Sequence, residues 1–286
     1  MLFGKTRHAF YDKSWHEQRQ QKNHYQVLEM VSQIRTELPR IGTPKLYYML
    51  KKPLQTHGIK MGRHALHHLL LKHGMTVRPS RRYIKTTNSN HWMKKYPNLI
   101  KDLVITESEQ LWVCDITYIQ IGQDFNFLSL ITDYYSKLIV GYCLYPTLEA
   151  QGCLNTLRMA LAQRLKPGNR LIHHSDRGTQ YCSSDYVQLL QASGIEISMT
   201  EKKDPYENAV AERVNGILKY ELELNQSFKD RQAAVQKVEK SILAYNHRRP
   251  HMSCNYLTPA QAHQMTGVLE NKWKPRLNPK PSLPLS

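Results

Sequence analysis

Along the first third of the chain, apolar positions recur at helical spacing. Val27, Leu28, Val31, Ile34 and Leu38 share one face of a helix predicted from Tyr25 to Leu38, closed by the stretch Pro39 to Pro44 with its Gly42. A second helix is expected from about Pro44 to Leu54. After a turn at His57 to Ile59, a third, Met61 to Lys72, carries Leu66, Leu69, Leu70 and Leu71 broadly along one side. Three short helices with a tight glycine-containing connection predict an all-α helix-turn-helix domain over residues 25–75, preceded by a basic arm, 1–24. Compact three-helix units also occur outside DNA-binding proteins.

Beyond a non-periodic basic stretch the pattern changes to strands. Leu111 to Ile121, Phe125 to Thr132 and Leu138 to Leu144 are β-branched and apolar, with Gly122 to Asp124 as a turn, and predict an antiparallel meander. A helix from about Glu149 to Leu165, a strand Arg170 to His174, a helix Ser184 to Ala192 and a strand Ile195 to Ser198 follow. Strands alternating with helices after a meander define a mixed α/β sheet. Two further helices, about Glu207 to Glu223 and Asp230 to Tyr245, complete a core expected over 106–265. Residues 76–105 are expected as a linker and 266–286 as a disordered tail.

Composition narrows the possible functions. At 286 residues the chain has room for two or three units, and no apolar run approaches the ~20 residues of a membrane span. Met1 to Phe10 lacks the pattern of an export signal, so cytoplasmic residence is expected. The cysteines, Cys114, Cys143, Cys153, Cys182 and Cys254, are widely spaced and odd in number, which fits buried thiols rather than disulfides or a zinc knuckle. His64, His67 and His68 fall on one helix and His73 just beyond it, with no cysteine nearby, and all are expected to be solvated or DNA-facing.

Charge is distributed unevenly. Residues 1–100 hold 19 Lys and Arg against 4 Asp and Glu, whereas the remainder is nearly balanced at 21 against 19. Such asymmetry suits a part that tracks a polyanion, although a basic surface also serves solubility. Lys60 and Arg63, near the start of the third helix, and Arg81 and Arg82 in the linker are candidate DNA contacts, as are Asn208, Asn215, Lys219 and Arg248 further along the chain.

Three carboxylates carry the candidate chemistry. Asp115 interrupts an apolar strand, Trp112 to Ile119, where an ionised group is costly unless paired or bound to a cation. Asp176 ends the strand stretch Leu171 to Asp176, at the sheet edge where α/β proteins bind ligands, or where it simply initiates a turn before Gly178. Glu212 shares a polar helix face with Asn208, Asn215 and Lys219, opposite Val210, Val214, Ile217 and Leu218. Such a face is ordinarily a solvated one, and each acid alone has an ordinary structural explanation. Jointly, a central strand, a strand end and a helix can converge three oxygen ligands on one or two hard cations, with Mg²⁺ the ordinary choice and Mn²⁺ able to replace it. Two such ions suit an in-line phosphoryl displacement. Lys219, two turns beyond Glu212, is a candidate phosphate contact.

Thirty-five residues, 177–211, separate Asp176 from Glu212. This spacing resembles the D-D-35-E signature of DDE transposases and retroviral-type integrases, and most closely the catalytic (OrfB) proteins of the insertion sequence 3 family. The resemblance covers about residues 25–265. It runs through Trp112 to Tyr118, Thr132 to Tyr142, His174 to Tyr181, Tyr206 to Arg213 and Tyr245 to His251, with Thr258-Pro259-Ala260 after them. It implies a ribonuclease H-like mixed five-stranded sheet with flanking helices, and Asp115, Asp176 and Glu212 as the magnesium-holding catalytic triad. It also implies 3′-end cleavage of a mobile element, followed by attack of the freed 3′-OH on target DNA.

Further implications are a homo-oligomer on double-stranded DNA and an upstream OrfA partner or fusion. Arg248, Arg249 and His251 of the C-terminal motif would support DNA or the active site, and Asp133 matches a family position that reads as structural. The rivals are a non-catalytic DNA-binding protein working through residues 25–75, and a ribonuclease H-like nuclease without strand transfer.

Overall fold

In a computed structural model, residues 7–77, 92–101, 103–201 and 208–272 are described. Three helices come first: α1 (Arg7–Glu37), α2 (Thr43–Thr56) and α3 (Arg63–Lys72). Helix α1 begins well before Tyr25 and takes up most of the expected arm. No Gly or Pro lies between Arg7 and Glu37, so nothing in the backbone stops the helix. Apolar periodicity starts only at Val27, where the helix meets the body, while Tyr11 and Trp15 remain exposed. Leu66, Leu69 and Leu70 of α3 are buried, but Leu71 is 57% exposed, because it stands one further 100° step around the helix.

The strands are β1 (Leu111–Ile121), β2 (Asp124–Asp133), β3 (Ile139–Tyr145), β4 (Ile172–Ser175) and β5 (Glu196–Met199). They form one sheet in the order β3-β2-β1-β4-β5, antiparallel across β1–β2–β3 and parallel across β1–β4–β5. This is the ribonuclease H-like arrangement. Helices α4 (Ala150–Ala162) and α5 (Ser184–Ala192) pack on one face, around Trp112, Cys114, Ile131 and Val140. At that contact any Cβ on Gly141 would stand 2.4 Å from the carbonyl oxygen of Thr156, so α4 and β3 approach as closely as they do only with glycine there.

Helices α6 (Ala209–Tyr220) and α7 (Arg231–His247) cover the other face through Val214, Ile217, Leu218, Ile242 and Tyr245, against Ile119, Leu128 and Leu130. Leu46, Leu50, Leu66 and Leu70 of the N-terminal helices belong to this same apolar cluster. The three-helix unit is therefore continuous with the sheet's core. The short α8 (Pro259–Ala262), capped by Thr258 and Gln261, ends the helical part.

Two segments expected to be loose are pinned where described. Before β1, Leu99 N donates to Ser198 Oγ at 2.9 Å and Met199 N to Pro97 O at 3.2 Å, so the end of the linker runs along β5. The start of the expected tail returns to the body, Gly267 N donating to Thr106 O and Lys272 N to Met252 O, both at 2.8 Å.

Candidate active site

The site begins where two parallel strands part. Pairing of β1 with β4 ends at Val113 and His174, and Asp115 and Asp176 each stand two residues beyond that last rung. The free edge of β1 then borders a cleft lined by Asp115, Ile116, Thr117, Tyr118, Phe127, Asp176 and Gln180, among others. The partnering of Asp115 is specific. Its Oδ1 accepts from Ile116 N at 2.9 Å and its Oδ2 from the Asn215 amide at 2.7 Å. Asp176 Oδ1 accepts from Gly178 N at 3.0 Å, which fixes the turn after β4.

Helix α6 supplies the remaining groups. Glu212, in its first turn, is exposed, and partial desolvation of its carboxyl together with the charge of Asp176 raises its pKa. Asp115 is pushed up to about 7, first by desolvation and then by Asp176, with a smaller contribution from Glu212 and against the hydrogen bonds from Asn215 and Ile116. The three acids are thus electrostatic neighbours. Among the described residues, however, no three His, Cys, Asp or Glu side chains are gathered closely enough to hold an ion as they stand.

The donor set nevertheless suits a hard cation. All three candidate groups are carboxylates, and a divalent ion would relieve the desolvation and mutual repulsion that raise Asp115. Oδ1 of Asn208 and Oδ1 of Asn215 are also buried with no partner among the described residues, leaving acceptors free for water or a cation's hydration shell.

The candidate DNA contacts fare unequally. Asn208 and Asn215, expected on an exposed polar face, are 8% and 6% exposed. Their amides donate inward, Asn208 to Cys114 O at 2.9 Å and Asn215 to Asp115, because α6 lies with this face on β1 rather than toward solvent. Lys219 is half-buried, its Nζ 3.5 Å from the centroid of the Tyr118 ring, and burial pulls it down to about 8 despite the charge of Asp115. Lys60 and Arg63 are exposed, as are His64, His67, His68 and His73. Arg81 and Arg82 lie outside the described residues.

The C-terminal motif divides in role. Arg248, largely exposed, pairs with Glu37 at 2.9 Å. Arg249 is buried and turned to Glu221 instead of the cleft. Asn246 both accepts from Ile139 N and donates to Ile139 O, at 3.0 Å each, holding α7 to β3. Asp133 is wholly buried and accepts from Glu109 N, Ser136 N and Ser136 Oγ, a structural knot away from the cleft. The part of Tyr118 was not apparent from sequence, since nothing in a strand's alternation says that a lysine on a later helix will cover its ring.

Models of the integrase core domain match residues 106–205 and 193–259. The insertion element IS600 uncharacterized 31 kDa protein of Shigella sonnei is 33% identical over 273 residues, 92% of this chain and 98% of its own length. The transposase InsF for insertion sequence IS3A of Escherichia coli (strain K12) is 30% identical over 224 residues, 78% of this chain and 76% of its own. Among solved structures, the simian T-cell lymphotropic virus intasome in complex with PP2A regulatory subunit B56 gamma aligns at TM-score 0.48 and 19% identity, covering 82% of this chain and 75% of that one. The HTLV-2 integrase catalytic core domain aligns at 0.45 and 18%, covering 55% and 98%. A ribonuclease H-like sheet with an integrase core defines a DDE-type polynucleotidyl transferase. The chain belongs to the insertion sequence 3 family of transposases. No helix among the described residues is long and apolar enough to cross a membrane.

Proposed function

We propose that Asp115, Asp176 and Glu212 are the catalytic carboxylates of a Mg²⁺-dependent transposase that cleaves the 3′ ends of its element and joins them to target DNA. The observation that carries this is the placement of Asp115 and Asp176 at equivalent steps past the last β1–β4 rung, with α6 bringing Glu212 into electrostatic range of both. The three carboxylates would hold two Mg²⁺ ions, which Mn²⁺ can replace. Bound there, the ions supply Lewis-acid polarisation of the scissile phosphate and neutralise charge on the attacking and leaving oxygens.

The chain's own groups prepare that arrangement. Asn215 and the Ile116 N–H favour the ionised form of Asp115 and fix its orientation, and the Gly178 N–H does the same for Asp176. Lys219 brings a cation beside Asp115, where it can meet a phosphate next to the cut.

The substrate is double-stranded DNA, gripped by the basic N-terminal third through Lys60 and Arg63, with Arg81 and Arg82 of the linker and Arg248 in support. The protein acts as a homo-oligomer on paired ends, with an upstream OrfA protein or fusion contributing to recognition of the ends. Incubation of purified protein with labelled element ends and Mg²⁺ tests this proposal. Nicked and joined products are expected, and Asp115→Asn should abolish both. Unchanged cleavage by that variant sinks the triad assignment.

A further inference from the structure

Helix α6 ends at a residue of the wrong sign. Glu221 is its C-cap, where the helix dipole favours a cation, yet an acid stands there with its side chain only 20% exposed. The carboxylate takes four hydrogen bonds. Lys45 Nζ of α2 donates to both oxygens at 2.8 and 3.0 Å, and Arg249 grips them as a fork, Nε at 2.9 Å and Nη2 at 3.0 Å. The Glu221 backbone carbonyl also accepts from Arg40 N at 3.1 Å, between α1 and α2. The two cations are buried, Lys45 being 8% exposed and Arg249 2%. Arg249 and Lys45 hold the carboxyl down to about 2 in spite of its burial.

Stability alone is a poor reason for such a cluster. Taking an acid and two bases out of water is costly, and apolar residues of similar size often serve as well or better. The surrounding apolar cluster already joins Leu46 and Leu50 of α2 to Val214, Ile217 and Leu218 of α6. Apolar contact is non-directional, whereas a forked, four-bond ion contact fixes rotation and sliding. Glu212 lies nine residues up the same helix, ~13 Å along its axis, with Asn215 and Lys219 between.

We propose that Glu221 is a positioning residue that locks the N-terminal helical unit to the active-site helix through Lys45 and Arg249. DNA seated on that unit is then presented in fixed register to Glu212 and Asp115. This rests on the function proposed above, so one readout must be independent of cleavage.

Lys45→Met in the full chain tests it, because the Glu221–Arg249 pair stays intact. In protein free of metal and DNA, amide exchange across 209–220 is expected to quicken about tenfold, with β1 and β2 unchanged. With labelled ends and Mg²⁺, kcat should fall about tenfold at unaltered KM, and Lys45→Arg should restore both. Exchange in α6 equal to the parent's overturns the proposal, as does a defect confined to KM, which would make Lys45 a DNA contact. Should K45M not fold, Arg249→Lys, which keeps the charge but loses the fork, is read by the same two measurements. If the parent protein cuts no DNA, the proposed function fails while the exchange pattern still decides the coupling.

Discussion

The Asn215 amide donates a 2.7 Å hydrogen bond to Oδ2 of Asp115, joining the middle of α6 to the central strand. Because this bond favours the ionised carboxylate, removing it should raise an acid already pushed up to about 7. Asn215→Ala is therefore expected to raise the Asp115 titration midpoint of the metal-free protein, followed by carboxyl NMR, by about one unit. An unmoved midpoint would contradict the charge-favouring role of the Asn215 amide.

Asp115 also ties stability to pH in the metal-free protein. Its folded pKa lies above the unfolded value, so its contribution is present below about pH 4 and is lost as pH rises through about 7. Thermal melts without metal should show a lower Tm at pH 8 than at pH 5, and Asp115→Asn should flatten that difference. Added Mg²⁺ should raise Tm at pH 8 in the parent and much less in the variant. Equal slopes for the two proteins would remove Asp115 as the source.

Lys219 titrates from the other side. Burial lowers it to about 8, so its positive charge is available below that pH and fades above it. DNA-end affinity of the parent should weaken between pH 7 and 9, while Lys219→Arg, whose guanidinium stays charged, should hold its affinity. Binding isotherms at the two pH values measure this directly, and parallel losses would dissociate Lys219 from the DNA.

The contact of α4 with β3 leaves no room at Gly141. Gly141→Ala should destabilise the protein by about 1–3 kcal/mol through displacement of the α4 backbone. Urea unfolding of the two proteins checks it, and an unchanged midpoint would mean that α4 yields at little cost.

Sequence was most informative where one period dominates. Strand β1 spans Leu111–Ile121 as its β-branched run predicts, and α5 spans Ser184–Ala192 as expected. The first half of α1 carried no such signal, since an unpacked helix needs no apolar stripe. At the site, the spacing of Asp115, Asp176 and Glu212 was legible, but the direction in which the helix of Glu212 turns its polar face was not. A wheel separates polar from apolar without saying whether the polar side meets water or a buried carboxylate, so Asn208 and Asn215 looked outward. Glu221 was silent for a related reason: its partners lie 176 residues before it and 28 after it.

The two aspartates are spaced by a ladder. Each sits a fixed count past the rung at Val113 and His174, and side chains alternate faces along a strand. Deleting one residue within either strand ahead of its aspartate would not merely shift that carboxylate by ~3.3 Å but would turn it through the sheet, away from its neighbour. Changes of length in an exposed loop outside the paired strands carry no such penalty. Insertions within β1 ahead of Asp115, or within β4 ahead of Asp176, should accordingly abolish activity, whereas those in the exposed turn at 167–169 should be tolerated.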